Sequence, residues 1–349
     1  MLRIGIAYSL KPDDRGEPAD GPDDRYEEFD KPETIEALAE AIRGDGHDVS
    51  LLGDGRDFLA KMLDHPPDFV FNFAEGQGVG RDREARVPCV CEMLGVPYSG
   101  SDPLTMAVAL DKGVARRLVQ SHSVRVPAGI AIPPDELPEI VARIVAALFD
   151  GTEARYPILL KPSFEGSSKG IRGDCIAEDA GQAVALHARL ARDYGQPVLV
   201  EEFIDGDELT VGMLDGRHGA KVLGIMRVLP KSASGRFVYS LEVKRDWRAR
   251  VDYETPARLE PEVKEAIEQQ AYNAYAALGC RDVARIDFRL RDGCPYFIEA
   301  NPLPGLAPVT SDLVILAEGY GISHGDLVRM ILRAALNRVG LGDLGAKIG

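Results

Sequence analysis

The residues RIDFRL (285–290), RDGC (291–294) and PYFIEANPLPG (295–305) form one continuous stretch, and it sets the architecture of the chain. Two short apolar-rich runs flank the turn pair Asp292-Gly293, the pattern of a β-hairpin. Strand side chains alternate between faces. Arg285 and Asp287 therefore share one face of the first strand, with Ile286 and Phe288 on the other. On the second strand Glu299 and Asn301 share a face, and Ile298 and Ala300 oppose them. Closing the hairpin brings Arg285, Asp287, Glu299 and Asn301 to one side. Two carboxylates and an amide oxygen suit a hard cation such as Mg²⁺, which takes oxygen ligands and keeps phosphate oxygens in its shell. The adjacent arginine suits an oxyanion. A solvated polar hairpin face is the bland alternative. Against it stand the alternation with large apolar residues and the rigid Pro302–Gly305 run that follows.

The chain has 349 residues, enough for two or three domains, and a net charge of −15. That acidity weighs against a nucleic-acid surface, which needs a basic patch. Met1–Tyr8 reads as a buried first strand, too short for a signal peptide. No apolar run reaches membrane-spanning length. The five cysteines (89, 91, 175, 280 and 294) are odd in number and lack framework spacing, which predicts reduced thiols in a cytoplasm.

Upstream of the hairpin, residues 1–104 alternate between strand and helix. Leu2–Tyr8, His47–Leu52 and Asp68–Phe73 read as strands, the last nearly continuous in apolar residues, as in a parallel sheet covered on both faces. Lys11–Asp30 reads as an acidic loop, and a helix opened by Asp30 and Pro32 follows it. The glycine-rich Ala74–Gly80 lies where parallel sheets bind ligands, beyond a strand's carboxyl end, though a flexible connection would look the same. Leu104–Ser121 is predicted to be one helix. Tyr156–Lys161 is a strand ending in lysine, followed by the Gly/Ser loop Phe164–Gly170 and a strand from Ile171, a flap able to close over phosphates. Pro197–Ile204, Glu208–Met213 and Val222–Leu229 read as strands. Lys231–Asp252 is long, charged and poor in pattern, as a lid would be. Helices are predicted at Glu262–Leu278 and His324–Arg338.

These ordered motifs resemble the ATP-grasp superfamily and, within it, the D-alanine–D-alanine ligases. The resemblance covers nearly the whole chain and is strongest at Val96–Asp102 with Asp111-Lys112, at Leu160–Ser168, at Val198–Glu208 and at Arg285–Gly305. It implies an α/β chain with an α+β C-terminal half, folded as three ATP-grasp domains. A Rossmann-like parallel-sheet domain would span 1–104, a central subdomain with the phosphate loop 105–200, and a C-terminal domain with the lid and metal site 201–349. ATP would lie between two sheets. By position, the resemblance assigns Lys112 and Lys161 to ATP phosphates, with Glu165, Ser167 and Ser168 in the phosphate loop. Glu201, Glu202, Phe203 and Ile204 would border adenine, Glu208 would accept ribose hydroxyls, and Lys244 would reach the γ-phosphate. Asp287, Glu299 and Asn301 would hold two Mg²⁺ ions. Arg285 and the backbone of Gly305 would stabilise a tetrahedral oxyanion. The family chemistry turns a small-molecule carboxylate into an acylphosphate, which an amine then attacks, in a protein that is commonly a homodimer. Lys169 is not required by the pattern and is expected to be a surface charge or a salt-bridge residue.

The substrate half departs from the ligase pattern. The Gly-Gly-x-Ser-x-Glu segment is absent from Gly5–Leu10, leaving Glu27 or Glu28 as substitutes. The family's His-Gly is Glu75-Gly76 here, and its nearby substrate glutamate falls at Glu84, beside Arg83. Arg245 replaces the tyrosine after the lid lysine. Its planar fork suits a substrate carboxylate, and pairing with Asp246 or Glu242 is the alternative. Ser311 lies in a longer version of the serine segment that takes the second substrate. The nucleotide half is intact and the substrate half rewritten, so a substrate other than a D-alanine pair is expected. A kinase that stops at phosphoryl transfer and a nucleotide binder without turnover are the competing readings. Arg285 favours a ligase, because a kinase has no acyl oxyanion to stabilise.

Overall fold

The computed structural model describes residues 1–12, 21–148, 156–216, 219–232 and 235–342. The middle of the predicted acidic loop, 13–20, lies outside them. In chain order the elements are β1 (Arg3–Tyr8), α1 (Pro32–Gly44), β2 (Asp48–Gly53), α2 (Gly55–Asp64), β3 (Phe69–Phe73), α3 (Arg86–Leu94), α4 (Pro103–Leu110), α5 (Lys112–Ser121) and β4 (Gly129–Ile132). They continue with α6 (Pro138–Leu148), β5 (Ile158–Pro162), β6 (Ile176–Ala177), α7 (Ala180–Tyr194), β7 (Val198–Glu202), β8 (Asp207–Gly216) and β9 (Gly219–Pro230). Last come α8 (Leu241–Arg245), α9 (Trp247–Arg250), β10 (Val251–Glu254), α10 (Pro261–Leu278), β11 (Val283–Arg291), β12 (Cys294–Asn301), α11 (Asp312–Gly319) and α12 (His324–Arg338).

The described residues form three sheets, an α/β arrangement followed by α+β. The first is parallel in the order β2-β1-β3. The central β1 and the strand β3 are buried because both faces are covered, α1 and α12 packing on one and α2 and α3 on the other, while the edge strand β2 stays largely exposed. The second sheet, β4-β7-β5-β6, is antiparallel and carries α6 and α7. The third, β10-β9-β8-β11-β12, is antiparallel, and α5 and α10 share its core through Ala115, Val119, Ile267 and Ala271.

Several local expectations change. The helix predicted over 104–121 is two, broken at Asp111, whose backbone is extended and whose carboxylate accepts from the Val114 N–H at 3.0 Å. This cap makes Lys112 the first residue of α5, with its side chain buried. Lys31, not Asp30, precedes α1; the Asp30 N–H donates to the Ser9 carbonyl in a bridge joining Leu10 to Asp30. After the Gly/Ser loop only Ile176–Ala177 is strand. The segment after Lys231 is not patternless: it folds as α8, α9 and β10, with Tyr239, Val243 and Val251 packed on Val228. All five cysteines are free, with Cys91 buried and Cys89 exposed on α3. Among the described residues no helix is long and apolar enough to cross a membrane.

Candidate active site

The hairpin forms as the alternation predicts. Arg285 pairs with Asn301 and Asp287 with Glu299 between β11 and β12. One residue departs. The register shifts so that Phe288 faces Phe297, their rings edge to face at 6.2 Å, and Ile298 is left over as a bulge. Phe297 takes the core position at 1% exposure, and Ile298 lines a cavity on the polar side. Ile298 therefore does not oppose Glu299 as the alternation predicted.

A dense ion network surrounds these side chains. The Arg285 guanidinium donates to Asp287 at 2.9 and 3.0 Å and lies 3.5 Å from both Glu299 and Asp312. Lys112 is 3.2 Å from Glu299. Lys244 is 3.8 Å from Asp312 and sits over the Tyr239 ring at 5.0 Å. The Tyr239 hydroxyl donates to Asp312 at 3.0 Å, and that of Thr210 to Asp287 at 2.9 Å. Burial pushes the Asp287 carboxyl up, against the opposing pull of Arg285. Burial acts in the same direction on Glu299, but Lys112 and Arg285 outweigh it and hold that carboxyl low. Asp287, Glu299 and the Asn301 amide form an oxygen donor set that suits a hard divalent cation. Among the described residues no cluster of three or more His, Cys, Asp or Glu is arranged to bind a metal, so further oxygens would have to come from a bound ligand. Asp312, Tyr239 and Thr210 had no role in the sequence reading. Only Asp312 carried a local signal, an acid directly after Ser311 at the start of α11.

The neighbouring second sheet supplies the other wall. Lys161 is the penultimate residue of β5 and lies 2.7 Å from Glu201 on β7. Glu202 pairs with Arg291 at 2.6 Å. Arg289 stacks over the Phe203 ring at 4.8 Å and holds Glu208 at 2.9 Å. Burial pushes the Glu208 carboxyl up, with Arg289 opposing. Lys161, Glu201, Phe203, Ile204 and Glu208 line a small cavity between the two sheets. Ser167 and Ser168 both adopt left-handed backbone, φ 49° and 58°, a costly conformation for serine that loops carrying ligands often contain.

A larger cavity of about 630 Å³ opens beside it. Lys112, Lys244, Arg285, Gly305 and Ser311 line one side of it. Glu28, Asp30, Glu75 and Glu84 line the other. Lys244, Glu299, Tyr239 and Asp312 border both cavities. The Ser311 hydroxyl accepts from the Ala307 N–H at 2.9 Å, and a Cβ on Gly305 would come within 2.9 Å of that oxygen.

Three predicted site residues are tied up in ion pairs, although Glu165 still lines the smaller cavity and Arg245 the larger one. Arg83 is 1% exposed and does not line the cavity: its guanidinium holds Glu28 at 2.9 Å, Glu165 at 3.4 Å and the Phe164 carbonyl at 2.7 Å. Glu165 also accepts from Gln196 at 2.7 Å and pairs with Lys169. Lys169 is a buried salt-bridge residue, not a surface charge, and lies 3.2 Å from Glu28. Arg245 pairs with Asp23 at 2.9 Å and Glu27 at 2.8 Å, not with Asp246 or Glu242. Glu28 also accepts from the Gly166 N–H, and Asp24 from the Gly170 N–H at 2.9 Å. The segment Asp23–Glu28 thus ties the phosphate-loop candidate to α8.

Known proteins resemble this chain in sequence and fold. The family model described as "D-ala D-ala ligase C-terminus" matches residues 134–333. The D-alanine–D-alanine ligase of Gluconobacter oxydans is 33% identical, over 87% of this chain and 93% of its own. That of Gloeobacter violaceus is 31% identical, over 86% and 93%. Among solved structures, the D-alanine–D-alanine ligase of Bacillus anthracis complexed with ATP superposes with a TM-score of 0.71 at 22% identity, covering all of both chains. The VanG D-Ala:D-Ser ligase of Enterococcus faecalis gives 0.68 at 20% identity, over 95% of this chain and 99% of its own. The chain belongs to the D-alanine–D-alanine ligase family of ATP-dependent ligases and has their ATP-grasp fold.

Proposed function

We propose that this ligase joins a small-molecule carboxylate to an amine through an acylphosphate. The observation that carries the reading is the shared border of the two cavities, where Lys244, Glu299 and Asp312 face both. Nucleotide in the smaller space and substrate in the larger would meet at the β11–β12 hairpin. Glu201, Glu202, Phe203 and Ile204 would border adenine, and Glu208 the ribose. Lys112, Lys161 and Lys244 would neutralise phosphate charge, with Ser167 and Ser168 donating to the same oxygens. Asp287, Glu299 and Asn301 would hold Mg²⁺, two ions in the ligase pattern, whose chemistry is to balance phosphate charge during transfer. Arg285, anchored by three carboxylates, would donate to the oxyanion formed when the amine attacks, with the Gly305 N–H beside it.

The remaining elements of this reading come from the family resemblance: a cytoplasmic homodimer, with domains dividing near residues 104 and 200. On that division α5 packs on the C-terminal sheet and α12 on the N-terminal one. Steady-state ADP release with hydroxylamine present tests the chemistry. A hydroxamate is expected, because an acylphosphate is trapped by that nucleophile. ADP without hydroxamate would mark a kinase, and no ADP a binder.

A further inference from the structure

The large cavity has two electrostatically different ends. At the hairpin end every cation faces a carboxylate: Lys112 faces Glu299, Lys244 faces Asp312, and Arg285 faces three. At the far end Glu27 is taken by Arg245, and Glu28 by Arg83 and Lys169. Four more carboxylates, Asp30, Glu33, Glu75 and Glu84, and one cation, Lys31, line the cavity and form no ion pair within 4 Å among the described residues. The charges facing Asp30, Glu75 and Glu84 do not cancel them. Lys11 acts on Asp30, with the Thr34 hydroxyl beside it. Arg83 acts on Glu75 and Glu84 while its donors are spent on Glu28, Glu165 and Phe164, and Lys112, already facing Glu299, acts on Glu84 from more than 4 Å away. Glu28 adds repulsion to both.

Glu84 is the informative member. It is only 7% exposed, it borders the cavity, and it has no hydrogen-bond partner among the described residues. Its oxygens are open to the cavity and not sealed in the protein, so an occupant carrying a cationic donor would supply the partner that the chain does not. Burial, with Glu28 adding to it, pushes the Glu84 carboxyl up to about 7, and burial alone takes Asp30 to about 7. Burial and the charges of Glu84 and Glu28 push Glu75 higher than its ordinary value. Carboxylates kept from water and short of cations behave in this way.

One α-ammonium supplies three donors and a single charge. Three carboxylates at one end of a pocket exceed that. We propose that this end binds a diamino carboxylic acid, its two ammonium groups held among Asp30, Glu75 and Glu84. What then happens to that molecule rests on the ligase reading; its binding does not. A proton shared by Glu75 and Glu84 would instead present a neutral wall, to which an apolar side chain would bind at least as well.

Calorimetric titration of the full chain with a non-hydrolysable ATP analogue and Mg²⁺, at pH 8, separates the two. The probes are 2,3-diaminopropionate, ornithine, lysine, alanine and glutamate, each as both enantiomers. At least one diamino acid is expected to bind about tenfold or more tighter than alanine. Glu84→Gln and, separately, Glu75→Gln are expected to erase most of that preference. Equal or tighter binding of alanine or glutamate, no binding of any diamino acid, or an unchanged preference in both variants would overturn the proposal. Preferred diamino binding without hydroxamate formation would leave it standing and remove the ligase reading. A hydroxamate from alanine without diamino binding would do the reverse.

Discussion

Asp287 and Glu299 lie directly opposite one another across the β11–β12 hairpin, and the Arg285 guanidinium reaches both, at 2.9 and 3.5 Å. Two buried carboxylates in register are mutually repulsive, so a permanent cation between them and a second ligand for their remaining lone pairs are both needed. Asp287→Asn and Glu299→Gln each keep the side-chain shape and remove one anionic ligand. Both variants are expected to melt within a few degrees of the parent and to lose about 100-fold or more in ADP release. Turnover within a fewfold of the parent would reject the metal-ligand role.

Lys244 is held only at 3.8 Å from Asp312 and by the face of Tyr239, contacts weaker than a phosphate would provide. Amides in α8 and α9 are therefore expected to exchange more slowly once an ATP analogue and Mg²⁺ are bound. Hydrogen-exchange mass spectrometry reads this directly. Equal protection of residues 235–252 in both states would show that the segment does not act as a lid.

Two arginines that pair with the segment Asp23–Glu28 should differ sharply in their contribution to stability. Arg83 and Glu28 have side chains 1% and 4% exposed, so Arg83→Met strands buried carboxylates and is expected to cost about 3–5 kcal/mol. Arg245 and Asp23 are 39% and 64% exposed, and Arg245→Ala is expected to cost less than about 1 kcal/mol. Urea unfolding of both variants at one pH makes the comparison. Similar losses would mean that burial does not distinguish the two networks.

Asp30 gives stability a pH dependence of known sign. An unfolded aspartate titrates near 4, and burial pushes Asp30 up to about 7, with Lys11 and Thr34 opposing. Between those values the folded chain holds a proton that the unfolded chain has released. Stability from this group therefore falls as pH rises from about 4 to about 7, on the order of 1 kcal/mol per pH unit. Asp30→Asn is expected to gain stability over the parent at pH 8 relative to pH 5. A difference between parent and variant that is the same at both pH values would contradict the assignment.

The hairpin, the parallel strands and the lysine-bearing β5 were legible because each depends on local periodicity: alternation places Arg285, Asp287, Glu299 and Asn301 on one face whatever surrounds them. The bulge at Ile298 was not legible, because it arises from the packing of Phe288 on Phe297 across the pair. Nor was the break at Asp111, where one side-chain cap competes with continued helix. Charge partners were the least legible of all. With 56 acidic residues in the chain, sequence proximity suggested Asp246 or Glu242 for Arg245, and the fold chose Asp23 and Glu27, more than 200 residues away. The same long-range closure took Arg83 out of the cavity wall and left Glu84 in it. Sequence determined which side chains share a face wherever the alternation runs unbroken by a bulge. Only the tertiary structure decided which charges are buried, and burial governs both which ions pair and which remain to receive a ligand.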